Sequence, residues 1–124
     1  MKEIKFRGLT VKNQWVYGCY VTDYKGCHAI AKEDPGNSEQ MLNIPVNPKS
    51  VGQYTGLKDC DGVEIYEKDI LVCPDGDIWV VSFTNGSFVA ADNNDELNYV
   101  HLDDYNFEVI GNIYENPELL VSEK

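Results

Sequence analysis

The side chains of this chain that could carry chemistry are four cysteines, two histidines and many carboxylates. Cys27 and His28 are neighbours, and a thiol beside an imidazole is a pair that nucleophilic catalysis uses. Adjacent residues of an extended segment point to opposite faces, however, and no Asn or Asp is identifiable that would orient the imidazole. We therefore interpret the pair as structural, and we expect no catalytic residue and no enzymatic activity.

Metal and cofactor sites are not indicated either. Successive cysteines are separated by 8, 33 and 13 residues, so no Cys-x-x-Cys pair exists, and His101 stands alone. The run from Asp92 to Glu96 offers oxygen ligands but lacks the glycine and the distal glutamate of a calcium loop. Gly52, Gly56 and Gly62 do not form a phosphate-binding pattern. We expect no metal and no cofactor.

The charge of the chain is concentrated in its second half. The net charge is −11; residues 1–62 carry eight Lys/Arg and seven Asp/Glu, whereas residues 63–124 carry two and fourteen. A negative surface repels nucleic acid and favours basic partners, although solubility alone also explains it. A small basic cluster near the N-terminus lies beside Trp15 and Tyr17, but it is typical of an ordinary strand face, so we expect no direct nucleic-acid binding. The acidic residues that we single out as a candidate face are Asp92, Asp95, Glu96, Asp103 and Asp104.

Three turn dipeptides predict a β-meander in this acidic half. Asp61-Gly62, Asp75-Gly76 and Asn85-Gly86 each favour a two-residue hairpin turn. The turn at 85–86 sets Thr84 opposite Ser87, Phe83 opposite Phe88 and Val81 opposite Ala90. The turn at 75–76 sets Val72 opposite Trp79 and Ile70 opposite Val81, although Pro74 also allows a longer loop. The predicted core is therefore Ile70, Val72, Trp79, Val81, Phe83, Phe88 and Ala90.

The N-terminal half has its own strand signals. Residues 2–7 and 14–22 alternate as strands joined by a turn, and residues 28–31 form a third short strand. In the second strand Trp15, Tyr17, Cys19 and Val21 face one way, with Tyr20 on the other side. Nearly every position there is apolar or aromatic, which indicates burial on both sides or a surface kept for an interface. We name Trp15, Tyr17 and Tyr20 as the candidate interface.

The connecting segments complete this organisation. Residues 32–42 contain Pro35, Gly36 and Asn37 and predict a flexible loop, and Pro45 and Pro48 favour an extended edge segment. One helical turn is expected near residues 96–102, and Phe107 to Tyr114 returns as a last strand. Asn116-Pro117 is typical of a helix start and predicts a short C-terminal helical turn.

Five segments that together span almost the whole chain form a recognisable pattern: KEIKFRG at residues 2–8, WVYG at 15–18, SVGQYTGLKD at 50–59, GVEIYEKDI at 62–70 and VIGNIYENP at 109–117. In these segments the chain resembles the YopX-like family of phage and prophage proteins. The resemblance implies an all-β protein encoded by phages and prophages, and it brings no known activity or catalytic residue. The family usually has Gly where this chain has Lys68, so a positive φ there would strain the lysine.

We therefore expect an all-β fold in which an N-terminal β-hairpin lobe, residues 1–48, packs on a C-terminal meander, residues 49–124, that resembles a small SH3-like barrel. No membrane segment or signal peptide is apparent, so we expect free thiols and a cytoplasmic location in the bacterial host. The leading hypothesis is a non-enzymatic accessory protein acting through protein contacts, as a homo-oligomer and with a possible host partner that has a basic surface. The alternatives are an acidic nucleic-acid mimic that blocks a host nuclease or DNA-binding protein and, third, a small enzyme.

Overall fold

The computed structural model describes residues 4–23 and 25–120, except for the side chains of Ser38 and Glu96. Strands dominate this part of the chain, and its helical elements are two 3-10 turns, Pro48–Ser50 and Pro117–Leu120. The strands in chain order are β1 Phe6–Leu9, β2 Trp15–Thr22, β3 His28–Asp34, β4 Asn37–Pro45, β5 Gly52–Lys58, β6 Glu64–Tyr66, β7 Asp69–Val72, β8 Ile78–Thr84, β9 Ser87–Asp92, β10 Asp95–His101 and β11 Glu108–Asn112.

The strands form two antiparallel sheets, which confirms the all-β prediction. One sheet has the order β4-β3-β2-β1-β5-β6 and the other β10-β9-β8-β7-β11. Within the described residues neither sheet closes on itself, so the SH3-like barrel stays an analogy. The expected C-terminal helical turn is present at Pro117–Leu120. No helix of residues 4–23 and 25–120 is both long enough and apolar enough to span a membrane.

The chain divides into two compact units, Met1–Tyr54 and Thr55–Lys124. The boundary falls inside β5. The first residues of that strand pair with β1, where Phe6 is opposite Gln53, and its remainder lies beside β6 in the second unit.

The two predicted registers of the second unit had different outcomes. The turn at Asn85-Gly86 is confirmed, with Phe83 opposite Phe88 and Val81 opposite Ala90. The register at Asp75-Gly76 was wrong by one residue, because Leu71 is opposite Trp79 and Val72 is opposite Ile78.

A three-residue loop causes that shift. The Cys73 N–H donates to the Asp77 carbonyl at 3.1 Å, which leaves Pro74, Asp75 and Gly76 in the loop. Gly76 has φ 93°, the left-handed position of a three-residue hairpin loop. Three other turns follow the same pattern of backbone bonds, and their closing pairs are Thr10 with Gln14, Asp23 with Cys27, and Asp59 with Val63.

The core of the second unit consequently differs from the predicted list. Trp79, Val81 and Ala90 are buried in it and Phe88 packs against it, as predicted. The other buried members of the cluster are Ile65, Leu71, Cys73, Leu102 and Phe107. Ile70 is fully buried but lies with Val80 on the opposite face of the sheet, and Val72 lies half-buried on that face as well. Phe83 lies at the end of β8, where its ring is 56 % exposed and packs edge-on against Phe88.

The first unit buries a smaller set of side chains. Ile30 is fully buried in β3, and Leu9 and Val46 are nearly so. The Leu9 N–H donates to the Ser50 hydroxyl at 2.8 Å, which ties the 3-10 turn to β1. Gly18 lies so close to β3 that a Cβ there would come within 2.2 Å of the Ala31 carbonyl oxygen.

Three local predictions are corrected by the strands. The loop expected over residues 32–42 is a hairpin, because Pro35 and Gly36 alone form the turn and the polar residues around them continue β3 and β4. The helical turn expected near residues 96–102 is strand β10, which pairs with β9 through a bulge between Asp95 and Tyr99. The first strand begins at Phe6, and residues 2 and 3 of the predicted strand lie outside the described residues.

Lys68 adopts the backbone conformation that the resemblance implied for a glycine. Its φ is 72°, between β6 and β7. The backbone there is held on both sides, since the Lys68 N–H donates to Val81 and its carbonyl accepts from Ile113. A lysine in this left-handed region carries a steric cost that glycine avoids.

Candidate protein-interaction surfaces

Trp15 and Tyr17 lie together on one face of β2 and form what we call the aromatic face. Trp15 is opposite Leu9 of β1, and Tyr17 is opposite Arg7. The Arg7 guanidinium lies over the Trp15 ring at 4.2 Å from its centroid. Tyr17 is 45 % exposed, and Trp15 is half-buried. Arg7 is itself buried, so the side chains that this face offers to a partner are Tyr17 and the accessible part of Trp15, aromatic types that protein interfaces favour.

Tyr20 is not part of that face. It is opposite Ile30, and its ring packs against Phe6 at 5.8 Å between centroids and stacks on His28 at 5.7 Å. The Tyr20 hydroxyl also forms a hydrogen bond with Nδ1 of His28. The structure therefore brings together two of the three candidate interface residues and places the third in contacts within the first unit.

Cys27 and His28 contact different neighbours. His28 directs Nδ1 to the Tyr20 hydroxyl. Cys27 is exposed at the end of the loop that precedes β3, and its N–H donates to Oδ1 of Asp23 at 2.9 Å. This N–H bond is the largest of the effects that lower the pKa of Asp23. The absence of a catalytic residue stays a prediction.

The candidate acidic face separates into two groups at opposite ends of β10. Asp92 and Asp95 are paired at the turn between β9 and β10, whereas Asp103 and Asp104 follow the strand. Seven residues of strand place the two groups roughly 20 Å apart. The Glu96 side chain lies outside the described residues.

Carboxylates of both groups also accept hydrogen bonds from backbone N–H groups. Asp92 and Asp95 accept from the N–H groups of Asn94 and Leu97, at 2.8 and 3.0 Å. Asp104 accepts from the His101 N–H at 3.1 Å. These turns explain the oxygen-rich run from Asp92 without a calcium ion.

Among the described residues, the structure brings together one group of possible metal ligands that was not predicted from the sequence. Cys73, Asp75 and Asp77 bring one sulfur and two carboxylate oxygens within 4.8 Å of one another around the loop between β7 and β8. A thiolate with two carboxylates suits zinc, but the Cys73 thiol already donates to Asp75 at 2.5 Å. In the sequence, the three residues alternate with Pro74 and Gly76. That spacing is the pattern that could have indicated the group, and it differs from Cys-x-x-Cys.

A cavity of about 230 Å³ opens in the second unit, and no sequence motif pointed to it. Its lining combines buried apolar residues, which we call the floor, with polar and charged residues, which we call the rim. Its walls come from the end of β5, from β6 and from the segment that follows β10. The residues that line it are Leu57, Lys58, Asp59, Cys60, Ile65, Leu102, Asp103, Tyr105, Asn106 and Phe107.

Asp59, which lines that cavity, accepts three hydrogen bonds from backbone N–H groups. Its Oδ1 accepts from the N–H groups of Asp61 and Val63, both at 2.8 Å, and its Oδ2 accepts from the Val109 N–H at 3.0 Å. Burial raises the pKa of Asp59, but the backbone N–H groups outweigh burial and hold the pKa below its ordinary value. Asp59 is therefore ionised at neutral pH and joins the 59–63 loop to β11.

Comparison with known proteins identifies a family and a fold. The family described as YopX protein matches residues 5–121. The crystal structure of protein EF1440 from Enterococcus faecalis superposes with a TM-score of 0.60 at 24 % identity and covers 98 % of this chain and 100 % of that one. At this identity the likeness concerns the fold alone. None of the curated proteins matches the sequence.

Proposed function

Because the chain belongs to the YopX protein family, we propose that it is a phage or prophage accessory protein that works through protein contacts in the host cytoplasm and catalyses no reaction. The observation that carries the proposal is the aromatic face, Trp15 and Tyr17 with Arg7 stacked on the tryptophan. We propose that a second copy of the chain covers this face. Aromatic side chains are among those that dominate the energetics of such contacts, and buried Arg7 supports the tryptophan.

Polar residues in the segments that resemble the family, 62–70 and 109–117, support a role without catalysis, because their side chains accept hydrogen bonds from backbone N–H groups. Asp69 accepts from the Tyr66 N–H at 2.7 Å, and Asn112 accepts from the N–H groups of Tyr114 and Glu115, both at 3.0 Å. Asn116 accepts from the Asn112 N–H at 3.2 Å. Residues that stabilise turns in this way specify a fold and supply no reacting group.

Light scattering of single-residue variants tests the proposal. Tyr17→Ser is expected to lower the association constant of the oligomer at least tenfold, because an exposed aromatic anchor is lost from the interface. Phe83→Ser is the matched control, since Phe83 is an exposed aromatic residue of the second unit, and it should leave the mass unchanged. Equal effects of both substitutions, or an unmodified chain that is monomeric, would contradict the proposed interface.

The distribution of charge favours a second candidate function, an acidic mimic that occupies the basic site of a host nuclease or DNA-binding protein. Residues 55–124 carry three Lys/Arg and sixteen Asp/Glu, or −13, whereas residues 1–54 carry seven and five, or +2. A mimic should compete with DNA for such a host protein and keep binding at moderate salt. Binding that fades uniformly with salt would indicate non-specific attraction.

A further inference from the structure

The cavity of the second unit has an interior suited to apolar atoms. Ile65, Leu102 and Phe107 line it, and they are 1 %, 6 % and 2 % exposed. Tyr105 stands beside them with its ring 52 % exposed and 5.7 Å from that of Phe107. The volume of about 230 Å³ is below the range of drug-sized pockets and suits one long side chain.

Negative charge surrounds the opening. Asp59 and Asp103 line the cavity, and Lys58 is the basic residue among its lining side chains. Asp61 and Glu108 are near enough to act on the Cys60 thiol, whose pKa is raised first by burial and then by Asp61, Asp59 and Glu108. An apolar interior with an anionic rim is complementary to a cation carried on an apolar stem.

We infer that this cavity binds the side chain of an arginine presented by a protein partner. The methylene stem of the arginine packs on the apolar residues Ile65, Leu102 and Phe107. Its guanidinium meets the Asp103 carboxylate, in the field of Asp61 and Glu108, and the exposed Tyr105 ring. Arginine suits the site better than lysine, because its planar guanidinium bonds carboxylates in pairs and stacks on aromatic rings. The inference rests on the proposed function, since it names one contact through which a basic partner would be held.

Peptide titration of the full chain at low salt tests the inference. The probe is a nine-residue peptide with blocked ends, neutral except for one central arginine, and its control carries citrulline, which has a similar shape without the charge. The arginine peptide should shift the amide resonances of Cys60, Asp103 and Asn106, and citrulline should bind at least tenfold more weakly. Equal binding of the two peptides, or shifts confined to other residues, would overturn the inference.

Substitutions at the rim locate the charges that matter. Asp103→Asn changes a carboxylate that lines the cavity, and Glu108→Gln changes one close to the lining residue Cys60. Each should weaken binding of the arginine peptide about threefold, as expected for exposed ion pairs, and together about tenfold. Glu118→Gln removes the same charge from the same unit, but Glu118 neither lines the cavity nor is among the carboxylates that act on Cys60, so the affinity should stay unchanged. A loss in Glu118→Gln as large as in Asp103→Asn would show general attraction and reject the site.

Cys60 provides a reporter that does not depend on peptide resonances. In a Cys19→Ser, Cys27→Ser background, Cys60 is the exposed cysteine and Cys73 stays buried. A guanidinium beside the rim offsets the carboxylates, so the pH midpoint for alkylation of Cys60 should fall when the arginine peptide binds and stay unchanged with citrulline. An unchanged midpoint at saturating arginine peptide would contradict the site.

Free spermidine is the competing ligand to compare with the arginine peptide. If spermidine bound more tightly than the peptide, the cavity would be a site for free polyamines and the inference would be overturned.

The oligomeric mass separates this inference from the proposed function. If the chain is oligomeric but the arginine peptide fails to bind, the cavity inference falls and the aromatic face stands. If the chain is monomeric and the peptide binds as described, the aromatic-face proposal falls and the cavity stands.

Discussion

The two units of this protein place their tryptophans in different surroundings. In the second unit, Trp79 and Phe107 lie inside the core with their rings 6.3 Å apart and nearly perpendicular. In the first unit, Trp15 lies under Arg7 and beside the exposed Tyr17. The tryptophan of the second unit thus stabilises a core, whereas the tryptophan of the first unit is half-buried next to an exposed tyrosine. This difference favours the proposed self-association through the first unit, and the negative charge of the second unit favours the proposed basic partner.

The largest effect is expected from the core of the second unit. Phe107→Ala should lower the free energy of unfolding by about 3–5 kcal/mol, because a fully buried ring is replaced by a cavity. Phe83→Ala should cost less than about 1.5 kcal/mol, since its ring is largely exposed and contacts Phe88 from the side. Urea denaturation of both variants measures the difference. Comparable losses would mean that Phe83 belongs to the interior after all.

A backbone contact gives the corresponding test in the first unit. Gly18→Ala should destabilise the protein by about 2–3 kcal/mol, because the added Cβ meets the Ala31 carbonyl oxygen of β3. Gly36→Ala is the matched control, since a Cβ there comes no closer than 3.5 Å to a side-chain oxygen, and thermal unfolding should show little change. A Gly18→Ala protein as stable as the control would contradict the close packing of β2 on β3.

Each unit has a three-residue loop that begins at an aspartate, Asp23 in the first and Asp59 in the second, and the two aspartates differ in their hydrogen bonds outside the loop. Asp23 and Asp59 each accept two N–H bonds inside their own loop, but Asp59 also accepts from Val109 of β11. Asp59→Asn should therefore cost about 1 kcal/mol, because the amide nitrogen cannot accept that third bond. Asp23→Asn keeps an oxygen for its two bonds and should show no measurable loss in urea denaturation.

The pH dependence of stability follows from the same carboxylate. The pKa of Asp59 is lowered from 3.8 in the folded chain, so its contribution is complete above that value and is lost as the pH falls through the lower folded pKa. Acid unfolding curves of the unmodified chain and Asp59→Asn should converge at the lowest pH and separate above it. A constant separation at every pH would contradict this assignment.

The smallest effect concerns Lys68. Lys68→Gly should stabilise the protein by up to about 1 kcal/mol, because glycine adopts φ 72° without the steric cost. Lys68→Ala removes the same side chain but keeps the strained backbone, so it should show no gain in thermal unfolding. A gain from alanine would trace the effect to the charge or the stem of the lysine.

Local chemistry decided which parts of the fold could be predicted. The Asn85-Gly86 hairpin followed from its turn residues, whereas the loop at Pro74 gained one residue and moved Leu71 into the place expected for Val72. Exposed strands such as β4 and β10 lack a buried apolar face, so their polar sequences imitate loops or helices. Residues 57–60 and 102–107 are distant in sequence, so the cavity that they line gave no pattern to detect.

The mass of the unmodified chain in solution is the most direct test of the central claim, that a second copy covers the aromatic face. Sedimentation equilibrium over a range of concentrations should give a multiple of the 14.0 kDa chain mass. For Tyr17→Ser, association should require at least tenfold higher protein concentrations, in line with the weaker association constant expected for this variant. A constant 14.0 kDa for the unmodified chain at every concentration would contradict the claim.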